Sequence, residues 1–285
     1  MTGGLRAGRF WIRNKGMNGS YQDPGSALDR IFEQIADQIE GLKGDDRAAF
    51  DDFEFYTRYV MGYGNPDFAE NSRVIKQICY TLQYEPQYQD VLIICPRGSA
   101  KSKTVTTNWT TWCIGRNPLV RFLLTVSKQD LGEAFGREFD QVLKFNERYR
   151  RIFGDLVPPL AEQEKWTTTD KIVRRPTPPG GMKDPTLGIV SVGSNVPSRR
   201  SDQMILDDIV TEQNAYTKEQ RAKLEDFVFR TLFPILVPGG RRIVVGTRWD
   251  PRDFYAKYAE RIGVDFPAVP SINLTVGPKE IEVHE

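Results

Sequence analysis

The sequence has few of the residues on which several common chemistries depend. Its 285 residues include one histidine, His284, and three cysteines, Cys79, Cys95 and Cys113. A single histidine leaves this chain without a Ser-His-Asp triad or a histidine-rich metal site. The cysteines form no CxxC pair, so neither a zinc knuckle nor a disulfide framework is expected. Reduced, buried thiols are typical of a cytosolic protein.

Long apolar runs and a strong net charge are also missing. No apolar run approaches the ~18 residues of a membrane span, and the basic N-terminus, residues 1–16, lacks the apolar stretch of a secretory signal. We therefore predict no membrane contact, and we interpret 1–16 as a mobile basic arm or a docking element. The formal net charge is +1, so any contact with nucleic acid must come from local basic patches.

Apolar periodicity divides the chain into a helical part and an alternating part. Helical spacing over 26–43, 46–61 and 70–84 predicts that residues 1–85 form a basic arm and a helical N-terminal extension or lid. From residue 91, short apolar runs alternate with helical patterns, which predicts an α/β fold with a mostly parallel central sheet flanked by helices. The predicted strands are 91–95, 120–126, 203–206 and 242–245, and the predicted helices are 101–114, 128–146, 217–232 and 251–262.

Two segments depart from this alternation. Within 154–195, the stretches 165–175 and 186–192 have the pattern of two strands of an inserted hairpin. Residues 86–262 are thus predicted to form the core, with 154–195 as an insertion. The segment 263–285 contains three prolines and no helical period, which predicts a linker.

The sharpest local signal is the segment 95–102, with the sequence CPRGSAKS, between a predicted strand and a predicted helix. Such a loop aims backbone N–H groups at phosphate, and the start of the helix adds a partial positive charge. In this pattern Lys101 would reach the β- and γ-phosphates, and the Ser102 hydroxyl would ligate Mg²⁺.

The match of this loop to the GxxxxGK[ST] pattern is imperfect. Cys95 and Ala100 stand at the two glycine positions, and Gly98 keeps one permissive position inside the loop. Two alternatives stay open: an ordinary strand-to-helix turn, and a register that uses Lys103 and Thr104.

A second apolar strand ends in two acids, which supply the carboxylates that a phosphate loop requires. Asp207 at the end of the strand suits a role at Mg²⁺, and Asp208 suits polarisation of an attacking water. The usual second residue is Glu, and Asp is one methylene shorter, so Glu212 is an alternative base. A turn or a helix cap after an edge strand would also explain the two acids.

A third apolar strand ends at Thr247. Functional groups gather at the carboxyl ends of strands in a parallel sheet, so Thr247 is predicted to sense the γ-phosphate. An ordinary Gly-Thr turn is the alternative.

Three segments together resemble one protein family: PRGSAKS (96–102), MILDDIVTEQNA (204–215) and VVGTRWDPRDFYAKY (244–258). In order and spacing they are similar to the large terminase subunit of tailed bacteriophages, the ATP-driven motor that packs DNA into the prohead. The resemblance covers roughly residues 70–270.

This resemblance implies a P-loop NTPase of the additional-strand (RecA-like) class with ATP and Mg²⁺ as cofactors. The family often has degenerate loop glycines and an arginine four residues before the lysine, here Arg97, which is proposed to act in cis as an arginine finger. Gly246 and Thr247 match its coupling motif, which links hydrolysis to movement. The implied catalytic residues are Asp208, Arg97 and Lys101, and the implied metal ligands are Ser102 and Asp207. The implied nucleotide contacts are Pro96, Arg97, Gly98, Ser99, Ala100, Lys101, Ser102, Lys103 and Thr247.

Three further roles stay open. The glutamine that the family places at the adenine has four candidates: Gln77, Gln83, Gln87 and Gln89. A trans-acting arginine from a neighbouring subunit would be Arg199 or Arg200, unless these form a solvated pair. Basic clusters that could follow DNA or simply be solvated are Arg148, Arg150 and Arg151, Lys171, Arg174 and Arg175, and Arg241 and Arg242.

The implied function is ATP hydrolysis coupled to translocation of double-stranded viral DNA. The implied partners are double-stranded DNA, a portal protein, a small terminase subunit and further copies of the chain in a ring on the prohead. The implied location is the host cytoplasm, and transiently the portal vertex. Family members also carry a C-terminal nuclease domain, for which too few residues follow Asp250. We therefore expect no nuclease activity from this chain, and 263–285 would lead toward that domain.

Two rival functions are compatible with the same motifs. One is a P-loop helicase or remodelling ATPase of another family, which would need a second motor lobe or strand separation. The other is a nucleotide-binding module that docks on a capsid or portal and hydrolyses little ATP.

Overall fold

A computed structural model describes residues 39–62, 72–176, 181–264, 273–276 and 279–282. The predicted helix 26–43 lies almost entirely outside these ranges. The strands are β1 Asp90–Ile94, β2 Phe122–Val126, β3 Asp170–Lys171, β4 Leu187–Ser191, β5 Ser201–Asp207, β6 Leu236–Gly246, β7 Asn273–Val276 and β8 Lys279–Glu282. The α-helices are α1 Gly44–Asp51, α2 Phe53–Tyr59, α3 Ser72–Tyr84, α4 Thr110–Arg116, α5 Gln129–Phe145, α6 Glu147–Phe153, α7 Glu212–Ala215, α8 Lys218–Asp226 and α9 Phe254–Arg261.

Two of these helices are joined to π-helical segments. Lys103–Trp109 is π-helical and continues directly into α4, and Phe227–Leu232 is π-helical and follows α8. Short 3₁₀ turns cover Leu160–Glu162 and Phe233–Ile235. Within the described residues, no helix is both long and apolar enough to cross a membrane.

The strands form one sheet in the order β3-β4-β2-β5-β6-β1-β7-β8. The five central strands are parallel, and β3, β7 and β8 pair antiparallel at the two sides. The predicted mixed α/β fold with a mostly parallel sheet is therefore confirmed. Strand β6, the last parallel strand in the sequence, lies between β1 and β5, so the carboxyl ends of the three predicted site strands are adjacent.

Both faces of the sheet are covered, which explains why its central strands are continuously apolar. Alternate residues of β1 point into two separate cores: Val91 and Ile93 into one, Leu92 and Ile94 into the other. Helices α1 to α6 cover the first face, and α7 to α9 cover the second.

The N-terminal helices share the first core with the sheet. Phe53 and Tyr56 of α2 are fully buried, and Phe53 lies edge-on against Trp109 with ring centroids 5.1 Å apart. The predicted single helix over 46–61 is wrong, because Asp52 interrupts it. The Asp52 backbone is extended, and its side chain accepts from Phe55 N as the N-cap of α2.

Two other predicted features differ in detail from the structure. The stretch predicted as the second strand of an inserted hairpin pairs antiparallel with β3, but it also pairs in parallel with β2 as β4, so it belongs to the central sheet. Part of the segment predicted as a linker forms β7 and β8, and β7 pairs with β1. The N-cap of helix α9 is Asp253, which accepts from Tyr255 N and Ala256 N.

Arginine pairs close the amino end of the parallel strands. Arg121 Nε and Nη2 each lie 3.0 Å from an oxygen of Asp202, and Arg242 Nη2 lies 2.7 Å from Asp90 Oδ2. The hydrogen bonds that Arg121 donates to Asp202 are the largest of the effects that raise the pKa of Arg121. Arg241 is buried and donates to carbonyl oxygens at the end of α3, among them that of Leu82 at 2.6 Å.

Candidate functional site

The loop after β1 holds two residues in the left-handed region of backbone space. Gly98 has φ +82° and Ala100 has φ +57°. A left-handed φ is unfavourable for alanine, by about 1 kcal/mol or more. Ala100 therefore stands at the second glycine position of the pattern and keeps a backbone conformation that glycine favours.

Lys101 begins the helix that follows the loop and turns toward the acidic strand. Lys101 is only 5% exposed, and its Nζ lies 3.5 Å from Asp208 Oδ2. The Asp208 side chain is 41% exposed, so the pair lies at the boundary between the protein and solvent. The Lys101 ammonium therefore lies between the loop and the acid that follows β5.

Asp207, the last residue of β5, is buried against the same helix. Its Oδ1 accepts from the Ser102 hydroxyl at 2.8 Å, and its Oδ2 accepts from the Thr106 hydroxyl at 2.7 Å. Burial raises the pKa of the Asp207 carboxyl from its ordinary value of 3.8 to about 6, and the hydrogen bond from Thr106 opposes this shift. The site therefore holds a carboxylate whose negative charge is poorly compensated.

Asp208 and Thr247 join the acidic turn to the base of the loop. Asp208 has φ +45°, and its Oδ1 accepts from Thr247 N at 3.1 Å. The Thr247 hydroxyl donates to the carbonyl oxygen of Cys95 at 3.2 Å. The end of β6 therefore contacts both the acid after β5 and the residue that opens the loop.

Gly246, just before Thr247, packs directly against a tyrosine of α9. A Cβ atom built on Gly246 would lie 2.0 Å from the hydroxyl oxygen of Tyr255, which is fully buried. Only glycine fits at this position with Tyr255 in place.

Arg97 is exposed, and its guanidinium lies over the ring of Trp249, 4.8 Å from the centroid. Trp249 follows Thr247 by two residues in the turn after β6. This contact places the predicted arginine finger beside the predicted coupling motif.

The alternative register with Lys103 and Thr104 does not fit the geometry. Lys103 Nζ pairs with Glu138 of α5, and the buried Thr104 hydroxyl donates to the carbonyl oxygen of Ala100 at 3.0 Å. Neither side chain is directed to Asp207 or Asp208 by these contacts. Lys103, predicted as a nucleotide contact, places its ammonium group beside Glu138 of α5.

The open candidates separate in the structure. Gln83 accepts from Phe53 N and donates to Asp51 O, which ties α3 to the α1–α2 junction. Gln87 and Gln89 precede β1, at the amino end of the parallel strands, whereas the loop lies at their carboxyl end. Gln77 lines an open cavity of about 410 Å³ beside α3, and the alternative base Glu212 is exposed on α7.

The arginines proposed for other subunits or for DNA are mostly engaged within the chain. Arg199 Nη1 lies 2.7 Å from Asp170 Oδ1 with 6% of its side chain exposed, so the solvated pair is wrong for this residue. Arg151 binds Asp46, Lys171 binds Asp140, and the Arg175 Nη2 donates to two carbonyl oxygens. Arg200 and Arg174 are exposed. The predicted basic clusters thus serve largely to join elements of the fold.

Sequence reasoning missed Thr106 and Trp249. Thr106 follows Ser102 by four residues, so the two hydroxyls lie on one face of the helix, and this spacing could have identified it. Trp249 carries no such signal, because its contact with Arg97 depends on how the turn after β6 folds back over the loop.

The donor set suits a hydrated Mg²⁺ with phosphate ligands. Among the described residues no group of three or more His, Cys, Asp and Glu side chains is placed to hold a metal. Mg²⁺ in phosphate sites takes only one or two protein ligands, and the rest are water and phosphate oxygens. Ser102 can ligate a cation while donating to Asp207, whose two oxygens already accept hydroxyl protons.

Comparison with solved structures shows a likeness to a phage protein. The crystal structure of the HK97 bacteriophage large terminase matches 66% of this chain and 36% of the terminase chain, at 10% identity and a TM-score of 0.43. No protein-family model matches the sequence, and no curated protein sequence does.

Proposed function

We propose that the carboxyl end of the sheet binds Mg²⁺–ATP and hydrolyses it, in a P-loop fold of the additional-strand class. The observation that carries this proposal is the convergence of Lys101 and Ser102 from one loop on Asp208 and Asp207 from a non-adjacent strand. The position of β6 between β1 and β5 supports the additional-strand class. Phosphoryl transfer requires a cation that binds phosphate, a metal ligand, an acid that orients this ligand, and a base. Lys101, Ser102, Asp207 and Asp208 supply these four groups in that order.

In this proposal each side chain has one role. The Lys101 ammonium and the loop N–H groups hold the β- and γ-phosphates, and the Ser102 hydroxyl ligates Mg²⁺, which neutralises charge on the phosphates. Asp207 accepts a hydrogen bond from the Ser102 hydroxyl and so orients the lone pairs of that oxygen toward the metal. Asp208 orients the attacking water, and Arg97 stabilises charge on the γ-phosphoryl group.

We further propose that hydrolysis drives double-stranded DNA into a prohead, with a portal protein, a small terminase subunit and further copies of this chain as partners. The support is the combined resemblance of segments 96–102, 204–215 and 244–258 to large terminase subunits. Dispersed positive charge is compatible with sliding contacts to phosphate that read no base sequence.

The experiment is a measurement of ATP hydrolysis with and without double-stranded DNA for the wild type, Lys101→Ala and Lys103→Ala. Lys103 is the matched control, because it lies two residues away and pairs with Glu138. We expect DNA-stimulated turnover to be abolished in Lys101→Ala and to stay within about threefold of the wild type in Lys103→Ala. Wild-type turnover in Lys101→Ala would remove this site from the mechanism.

One observation favours the second candidate, a nucleotide-binding docking module with little hydrolysis. Both Asp208 oxygens have contacts, to Lys101 and to Thr247 N, and the residue is shorter than the usual Glu. Tight ATP binding without turnover, in the presence of DNA and a portal protein, would favour the module.

A further inference from the structure

The contact of Arg97 with Trp249 has no role in the proposed function. Arg97 is exposed, and within the part of the chain that the structure describes no carboxylate forms an ion pair with it. Its guanidinium instead lies 4.8 Å from the centroid of the Trp249 ring. Cation–π contacts at exposed sites are weak, and indole is the strongest of the aromatic partners.

Trp249 is held in place independently of Arg97. Its backbone N–H donates to Asp253 Oδ2 at 3.0 Å, and Asp253 is fully buried at the N-cap of α9. The Trp249 side chain also packs against the second core. Trp249 is therefore anchored through its backbone and packed against the second core, whereas Arg97 extends from a loop that contains a left-handed glycine, Gly98.

We propose that Trp249 is a positioning residue that holds Arg97 off the phosphates until a γ-phosphate draws the guanidinium from the ring. This inference rests on the proposed ATP site. A charge-assisted bond from arginine to phosphate is stronger than an exposed cation–π contact. The contact with Trp249 therefore persists without nucleotide and is exchanged when a third phosphate is present.

Release of Arg97 would also change what the turn after β6 contacts. That turn carries Thr247, which bonds to Asp208 and Cys95, and Asp253, which caps α9. Loss of the guanidinium from Trp249 thus removes one link between the loop and α9. Binding of the γ-phosphate is thereby coupled to α9, which covers the second face of the sheet.

The test is a double-mutant cycle on nucleotide affinity, with Mg²⁺–ATPγS and Mg²⁺–ADP as probes. Trp249→Leu removes the competing ring, so the dissociation constant for ATPγS should fall by about two- to fivefold, while that for ADP stays unchanged. In an Arg97→Ala background, Trp249→Leu should change neither constant. An unchanged or weaker ATPγS affinity in Trp249→Leu, or an equal effect in both backgrounds, would overturn the proposal.

Tryptophan fluorescence gives a second readout with a milder variant. Trp249→Phe keeps an aromatic ring in the core and removes one of five tryptophans, and its thermal unfolding shows whether it folds. ATPγS should change the emission of the wild type but not that of Trp249→Phe or Arg97→Ala, although all three bind the nucleotide. An identical change in all three proteins contradicts the role of Trp249. A wild type that binds no nucleotide contradicts the proposed function instead.

Discussion

At the amino end of the parallel strands, Arg121 and Arg242 each bind both oxygens of a carboxylate, whereas at the carboxyl end Lys101 approaches Asp208 only to 3.5 Å. The hydrogen bonds that Arg121 donates to Asp202 raise the pKa of Arg121, so each charge of this pair is stabilised by the other. The pKa of Asp207 is raised by burial, so that carboxylate lacks a matching cation. The comparison indicates that the ion pairs at the amino end stabilise the fold. The incompletely paired charges at the carboxyl end mark a candidate ligand site.

The largest effect that would test this division is at Asp208. Asp208→Asn should lower the turnover number for ATP by about 10²–10⁴-fold, because the amide cannot accept a proton from water. The melting temperature should not fall. Steady-state hydrolysis measures the first quantity and thermal unfolding the second.

Glu212→Gln is the matched control for this prediction. If Glu212 on α7 were the base, it would show the large loss and Asp208→Asn would keep its turnover, which would reassign the reaction to the alternative residue.

At the amino end, Arg121→Met should act on stability alone. The Arg121 and Asp202 side chains are 13% and 10% exposed, so Arg121→Met removes the guanidinium charge that faces a nearly buried carboxylate. We expect the free energy of unfolding in denaturant to fall by about 3–5 kcal/mol, with the turnover number of the folded fraction unchanged.

Arg230→Met is the control for a pair of the other kind. Arg230 and Asp226 have 82% and 58% of their side chains exposed, so the change should stay within about 0.5 kcal/mol. Equal losses for Arg121→Met and Arg230→Met would mean that the amino end has no special role in stability.

Apart from the controls, the smallest expected effect is a gain in stability when Asp207 is replaced by Asn. Its pKa of about 6 in the folded state exceeds the ordinary 3.8, so its contribution to stability is fully present below about pH 3.8 and is lost as pH rises through 6. Without Mg²⁺ and nucleotide, Asp207→Asn should be more stable than the wild type by about 1–3 kcal/mol at pH 8. The difference should shrink toward pH 5. A difference independent of pH would show that Asp207 is not the titrating group.

The sequence predicts the carboxyl end of the sheet better than it predicts the edges of elements. Val91 to Ile94 is apolar throughout because both of its faces are buried, so strand β1 and the loop after it could be placed. The break at Asp52 was missed, because a capping side chain interrupts a run whose apolar spacing continues across it.

The basic residues show a second limit of sequence reasoning. A run such as Lys171, Arg174 and Arg175 has the same composition whether it meets DNA, solvent or the protein itself. Only the fold shows that Lys171 is buried against Asp140. The contact between Arg97 and Trp249 is likewise set by a turn, and no spacing in the sequence indicates it.

The packing of Gly246 against Tyr255 also constrains how the sequence can change over evolution. Since a Cβ at position 246 and the tyrosine hydroxyl would occupy the same space, the two positions should vary together. A relative that carries alanine at position 246 should have a side chain smaller than tyrosine at position 255. An alignment of such relatives would therefore show a dependence between a residue of β6 and a residue of α9.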